Sequence, residues 1–267
     1  MVSWFYAGLL VVLLILLFNW TQYLVTVLRQ PTDNTTLLIR VSWGAYLLFT
    51  CILVLRGIQT GQFPVDGRAD IFLTFSWALL SIFLGLNLWY PLRFLGTTVI
   101  PISGLFIVFP LIPDTFSLWG AWIHILLIMI AYGAFTVSFL LAVGYLRAEH
   151  QLREKEVDRF FFLFPSLQTI DRALHLSTWI GTACIVAGII IGMVQGYALQ
   201  QLSTDWFLDP NIMGALITTL IYGTILVIRE RSLFTNRRIA YLTIAGFVII
   251  VLVFTIMGFV PRMHPFF

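Results

Sequence analysis

The sequence predicts an all-α, polytopic integral membrane protein of about eight transmembrane helices, with both termini extracytoplasmic. Three observations carry this reading. The 267 residues are 60% apolar and only 10% charged, where a soluble domain carries about 25% charge, and the mean hydropathy is +0.97. One soluble core of this size cannot hide so much apolar surface, so lipid is the solvent for most side chains. The apolar residues are also gathered into runs of about 20, the length that crosses about 30 Å of hydrocarbon. The third observation is the uneven distribution of basic residues between those runs.

The runs fall at about 4–27, 38–57, 70–89, 94–111, 119–146, 173–198, 210–228 and 239–260. The first is too long, and too poor in early positive charge, for a cleaved signal peptide, and is kept as a span. The fourth is short and contains Pro101, which predicts a kink or tilt. Taking alternate connections, one side holds Arg29, Arg40, Arg93, Arg147, Arg153, Lys155, Arg159, Arg172, Arg229, Arg231, Arg237 and Arg238. The other holds Arg56, Arg68 and Arg262. That asymmetry places the first set in the cytoplasm. An odd number of spans would break the alternation.

The longest polar stretch, 147–172, reads RAEHQLREKEVDRFFFLFPSLQTIDR. Its i,i+4 acid–base pairs, such as Glu149 with Arg153, extend the fifth helix into the cytoplasm. Phe160 to Phe164 then make an apolar patch, either an amphipathic segment on the inner leaflet or a docking surface. With no fixed-period repeat and no low-complexity segment, residues 1–267 read as a single membrane domain. Cys51 and Cys184 lie inside spans without a CxxC pattern and read as small apolar fillers. In the sixth run Gly181, Gly188, Gly192 and Gly196 form a small-residue stripe that lets a neighbouring helix approach closely. A flat cofactor can use such a groove too, although the glycines alone do not require one.

Ionisable groups are costly in a membrane, so each histidine needs an account. His150 falls in the polar segment and reads as a solvated surface residue. His175 is placed about one turn into the sixth helix, near its cytoplasmic end. His124, about one turn into the fifth helix, and His264, in the closing VPRMHPFF, arrive at the same extracytoplasmic face by the counting of spans. Two neutral imidazoles at one surface can ligate a haem iron from opposite sides. Trp119, Trp122 and Trp206 flank the same surface and can pack on a porphyrin, although interfacial tryptophans are also the ordinary aromatic belt. A zinc site lacks supporting Cys or acidic ligands.

Several segments resemble the cytochrome c assembly (CcsA/ResC-like) haem-handling membrane proteins, most closely their HemX-like branch. They are GQFPVDGRADIFLTFSW from Gly61, WIHILLIMIAYGAFTVSFLLAVGYL from Trp122, DRALHLSTWIGTACIVAGIIIGMVQG from Asp171, DWFLDPNIMGALITTLIYG from Asp205, and the terminal GFVPRMHPF. They keep the family's order over about 200 residues. The resemblance implies a b-type haem with His124 and His264 as axial ligands. It puts Trp206 and Asp209-Pro210 in the place of the tryptophan-rich loop between those histidines. The chain departs from the full haem-transporting members in having one loop Trp, Asn211 where they have Lys, and Leu226-Val227 where they carry a further His. An inner haem site on that residue is therefore absent, with His175 as a substitute ligand. There is also no large extracytoplasmic domain to present apocytochrome.

Three functional classes stay open. The first is a haem-binding or haem-translocating protein, partnered by cytochrome c assembly proteins, in the plasma membrane of a bacterium. The HemX-like branch implies a second, restraint of glutamyl-tRNA reductase through 147–172. The third is a transporter of another small solute, against which stand the lack of inverted repeats and the scarcity of mid-membrane acids. No nucleophile–base constellation points to an enzyme, and nothing points to nucleic acid. The orientation is checked by fusion: alkaline phosphatase, which needs an oxidising compartment to fold, is expected to be active after Phe267 and inactive within 147–172. The reverse pattern overturns the assignment.

Overall fold

A computed structural model of the chain describes residues 3–29, 35–61, 68–108, 122–155, 164–198 and 210–259. They form eight helices: α1 Ser3–Arg29, α2 Thr35–Thr60, α3 Arg68–Trp89, α4 Arg93–Val108, α5 Trp122–Glu154, α6 Leu167–Ala198, α7 Pro210–Glu230 and α8 Asn236–Phe259. No strand occurs among the described residues. Seven of these helices are long and apolar enough to cross a membrane; α4 is the shorter one. Its 16 residues extend about 24 Å, and Pro101 lies inside it, as the short fourth run leads one to expect. The largest departure from the sequence reading is α6, which begins six residues before the expected 173, because Ser166 caps it: the Ser166 hydroxyl accepts the Thr169 N–H at 3.2 Å. His175 therefore sits two turns inside α6, not one. As expected, α5 extends past its apolar run, out to Glu154, and carries the Glu149–Arg153 pair at 2.7 Å.

Helix packing closes two antiparallel four-helix groups. α1 touches α2 and α4, and α3 completes the ring against both; α5 touches α6 and α8, and α7 completes the second ring. The seam is α3 against α5, where Gly133 brings backbone onto backbone: a methyl group there would lie 3.2 Å from Leu79 N and 3.3 Å from the Ala78 carbonyl carbon. Small residues have this use in membranes, where association gains nothing from apolar burial and relies on close packing. One buried apolar cluster runs from Phe5 in α1 to Ile250 in α8 across both groups. Part of the apolar patch after α5 is folded inward, with Phe164 4.7 Å from the Phe94 ring; residues 156–163 lie outside the described residues. The cysteines are free, and Cys51 is exposed on the helix surface rather than acting as the buried filler the sequence suggested.

Lipid offers no hydrogen bonds, so a proline inside a span needs a compensating donor. Pro101 has no N–H for the carbonyl four residues back, that of Thr97. The indole N–H of Trp20 in α1 donates to the Thr97 carbonyl at 2.9 Å. The carbonyl that Pro101 leaves open is thus tied to the neighbouring helix. Replacing Trp20 with Phe is expected to cost about 1 kcal/mol. In a Pro101→Ala background the same change is expected to be close to neutral, because residue 101 then supplies the missing donor. Thermal denaturation of the four variants in detergent measures the coupling, and equal costs in both backgrounds would refute it.

Candidate functional site

The site is built where α5 begins and α6 ends. Trp122 is the first described residue of α5 and His124 lies in its first turn. α6 runs antiparallel beside it and presents the predicted glycines to α5 one after another. A methyl group at Gly181 would meet the Phe135 ring at 2.5 Å, at Gly188 the Ile128 side chain at 3.0 Å, and at Gly192 the His124 ring at 2.6 Å. The stripe is therefore a packing face, as the sequence reading holds, and at its last described step the group packed into it is an imidazole. Hydroxyls reinforce the contact deeper in: Ser177 donates to the Ala134 carbonyl at 2.7 Å and Thr178 to the Ser138 hydroxyl at 3.2 Å.

His124 is partly buried, and its Nδ1 lies 2.7 Å from the Gly188 carbonyl oxygen. A carbonyl only accepts, so Nδ1 carries the proton and donates it. The neutral ring then has its lone pair on Nε2. Nε2 has no hydrogen-bond partner among the described residues. The donor chemistry suits a haem iron: a neutral imidazole backed by a carbonyl is the usual state of a metal-ligating histidine. His264, Trp119 and Trp206 lie outside the described residues, as does the side chain of Trp122.

The other histidines differ. His150 is exposed, in keeping with the solvated residue expected. His175 belongs to a cluster of charge at the opposite, arginine-rich end of the bundle. Its Nε2 is 3.2 Å from Glu230 Oε1, which the Trp179 indole N–H also approaches at 3.5 Å. One turn earlier on α6, Asp171 accepts from Arg229 at 2.7 Å. His175 Nδ1 is buried without a partner. His124 and His175 thus occupy opposite ends of α6. Two features escaped the sequence reading. Gly188 contributes through its carbonyl, which no residue type announces. Arg56, counted with a connection, lies within α2 and pairs with the buried Asp70 at 2.7 Å, its guanidinium 4.2 Å over the Phe5 ring. Leu226 is buried and Val227 exposed on α7, where the fuller relatives were expected to carry a histidine.

The family model described as cytochrome C assembly protein matches residues 13–264. The cytochrome c biogenesis protein CcsA of Guillardia theta is 29% identical over 234 residues, 77% of each chain. Protein HemX of Bacillus subtilis is 24% identical over 217 residues, 78% of each chain. A CcsA of Synechococcus is 26% identical over 240 residues, covering 77% of this chain and 78% of its own.

Proposed function

The chain belongs to the cytochrome c assembly protein family, and from that premise we propose that it binds haem at the extracytoplasmic face of a bacterial plasma membrane and hands it on. His124 and His264 are the axial ligands of a bis-histidine site, and Trp119, Trp122 and Trp206 lie against the ring. The observation that carries this reading is the hydrogen bond from His124 Nδ1 to the Gly188 carbonyl at 2.7 Å. It turns the ring so that Nε2 is the bare donor, and a histidine kept only for interfacial polarity needs no such partner. The haem is b-type, held without covalent attachment, since no C-x-x-C-H run occurs in the sequence. Bound haem supplies the iron and the redox chemistry; the protein's own residues orient the donor and exclude water. His175, with Nε2 held by Glu230, is assigned to the ion cluster between α6 and α7 and not to a second haem. The protein acts as a carrier within cytochrome c assembly, not as an enzyme.

A second reading is restraint of glutamyl-tRNA reductase through 147–172. It draws on the exposed Leu152, Arg153 and Glu154 that end α5, and it is compatible with the first if bound haem is what the segment reports. The visible spectrum of the detergent-purified protein, oxidised and reduced with added haem, separates the two. A low-spin spectrum is expected, with haem retention weakened by His124→Ala or His264→Ala and lost in the double variant. His150→Ala and His175→Ala are expected to leave it unchanged. Equal haem retention by the double variant would overturn the ligand assignment and move the cytoplasmic segment to first place.

A further inference from the structure

We propose that Gly188 and Gly192 are positioning residues for His124: the first supplies the carbonyl that fixes the imidazole, and the second supplies the space in which the imidazole lies. The consequence at iron rests on the haem reading above, whereas the seat itself is a property of the chain.

The argument starts from helix geometry. In an α-helix the carbonyl of residue 188 accepts the N–H of residue 192. A carbonyl oxygen has two lone pairs, so one remains for a second donor. Residue i+4 stands over residue i on the same helical face. Any side chain at 192 therefore projects across the approach to the carbonyl at 188. Glycine removes the obstruction, and His124 fills the opening with Nδ1 2.7 Å from the Gly188 oxygen. A methyl group at Gly192 would come within 2.6 Å of His124 Nδ1, 2.8 Å of Cε1 and 3.2 Å of Cγ. These atoms belong to a rigid ring attached one bond from Cβ. The ring escapes the clash only by turning out of the seat, and turning out breaks the hydrogen bond.

The neighbouring glycines show that this is specific to one position. At Gly188 itself an added methyl would meet the Ile128 side chain, whose Cδ1 lies 3.0 Å away and can rotate aside, and the carbonyl would remain. At Gly181 the clash is as severe, 2.5 Å, but falls on Phe135, far along α5 from the histidine. Without such a seat a neutral histidine favours the tautomer with its proton on Nε2, which leaves Nε2 no lone pair for a metal. The carbonyl reverses that preference. The seat therefore prepares the ligand before any metal arrives.

The test uses full-length protein labelled with ¹⁵N-histidine, first without haem. Wild type is expected to show His124, identified by its loss in His124→Gln, protonated on Nδ1. Gly192→Ala is expected to lose that state, and Gly181→Ala and Gly188→Ala to keep it. On titration with ferric protoporphyrin IX, Gly192→Ala is expected to bind about 10- to 100-fold more weakly and to lose low-spin character, while Gly181→Ala retains the wild-type spectrum. A wild-type His124 protonated on Nε2 overturns the seat, whatever becomes of the variants. So does an unchanged tautomer in Gly192→Ala, or a loss of haem in Gly181→Ala equal to that in Gly192→Ala. If the tautomer responds as expected but neither Gly192→Ala nor His124→Ala alters haem binding, the seat stands and the haem reading falls.

Discussion

The close approach of α5 to the small-residue face of α6 is the constraint on which the rest of the molecule depends. Helices in lipid gain nothing by hiding apolar surface from one another, so association must come from close packing and hydrogen bonds. Here both are present. Phe135 fills the space that a side chain at Gly181 would take, and its other side stacks on Tyr222 of α7 at 3.8 Å. Ser177 and Thr178 bind α5 by their hydroxyls. With α5 fixed against α6 along this line, and against α3 through Gly133, its first turn has little freedom. His124 is held there by its packing on Gly192 and its hydrogen bond to the Gly188 carbonyl.

Charge is kept to the ends of the bundle. At the end that holds His124, Arg56 pairs with the buried Asp70. At the other, Arg229 pairs with Asp171, Glu230 lies beside His175, and Arg237 approaches Glu149 at 3.8 Å. Between these layers several hydroxyl groups bond within their own helices. Thr50, Thr136 and Thr182 each donate to the carbonyl four residues back, the local bond that lets such residues sit in a span at little cost. Others reach across, as Ser177 does to α5 and Ser76 to the Ser103 carbonyl of α4, and the fully buried Asn19 donates to Ser42 of α2 at 2.7 Å.

Most of the fold was legible in the sequence because its signals are additive along the chain. A run of about 20 apolar residues needs no tertiary information to be read as a span, and all eight runs appear as helices. The short, proline-bearing fourth was legible for the same reason. Helix ends were less so: Asp171 and Arg172 read as loop by their charge, but lie in α6 because Ser166 supplies a cap. The site was legible in part. His124 could be singled out from the cost of a titratable ring in lipid. Its partner could not, since a backbone carbonyl carries no residue code and 64 residues separate the two. The glycines were visible as a stripe, yet only the register between α5 and α6 tells which of them meets a histidine and which meets Phe135. Pairing of Trp20 with the carbonyl that Pro101 leaves open is non-local in the same way.

The separation between His124 and Gly188 also has a meaning in time. Synthesis delivers the imidazole first and the carbonyl that orients it 64 residues later, after the whole of α5, the connection beyond it and two-thirds of α6 have been made. Until α6 has entered the bilayer and folded back on α5, the imidazole has no carbonyl behind it and is an ordinary side chain at a membrane surface. The oriented imidazole is therefore a late product of insertion, shared by no intermediate that lacks the sixth span.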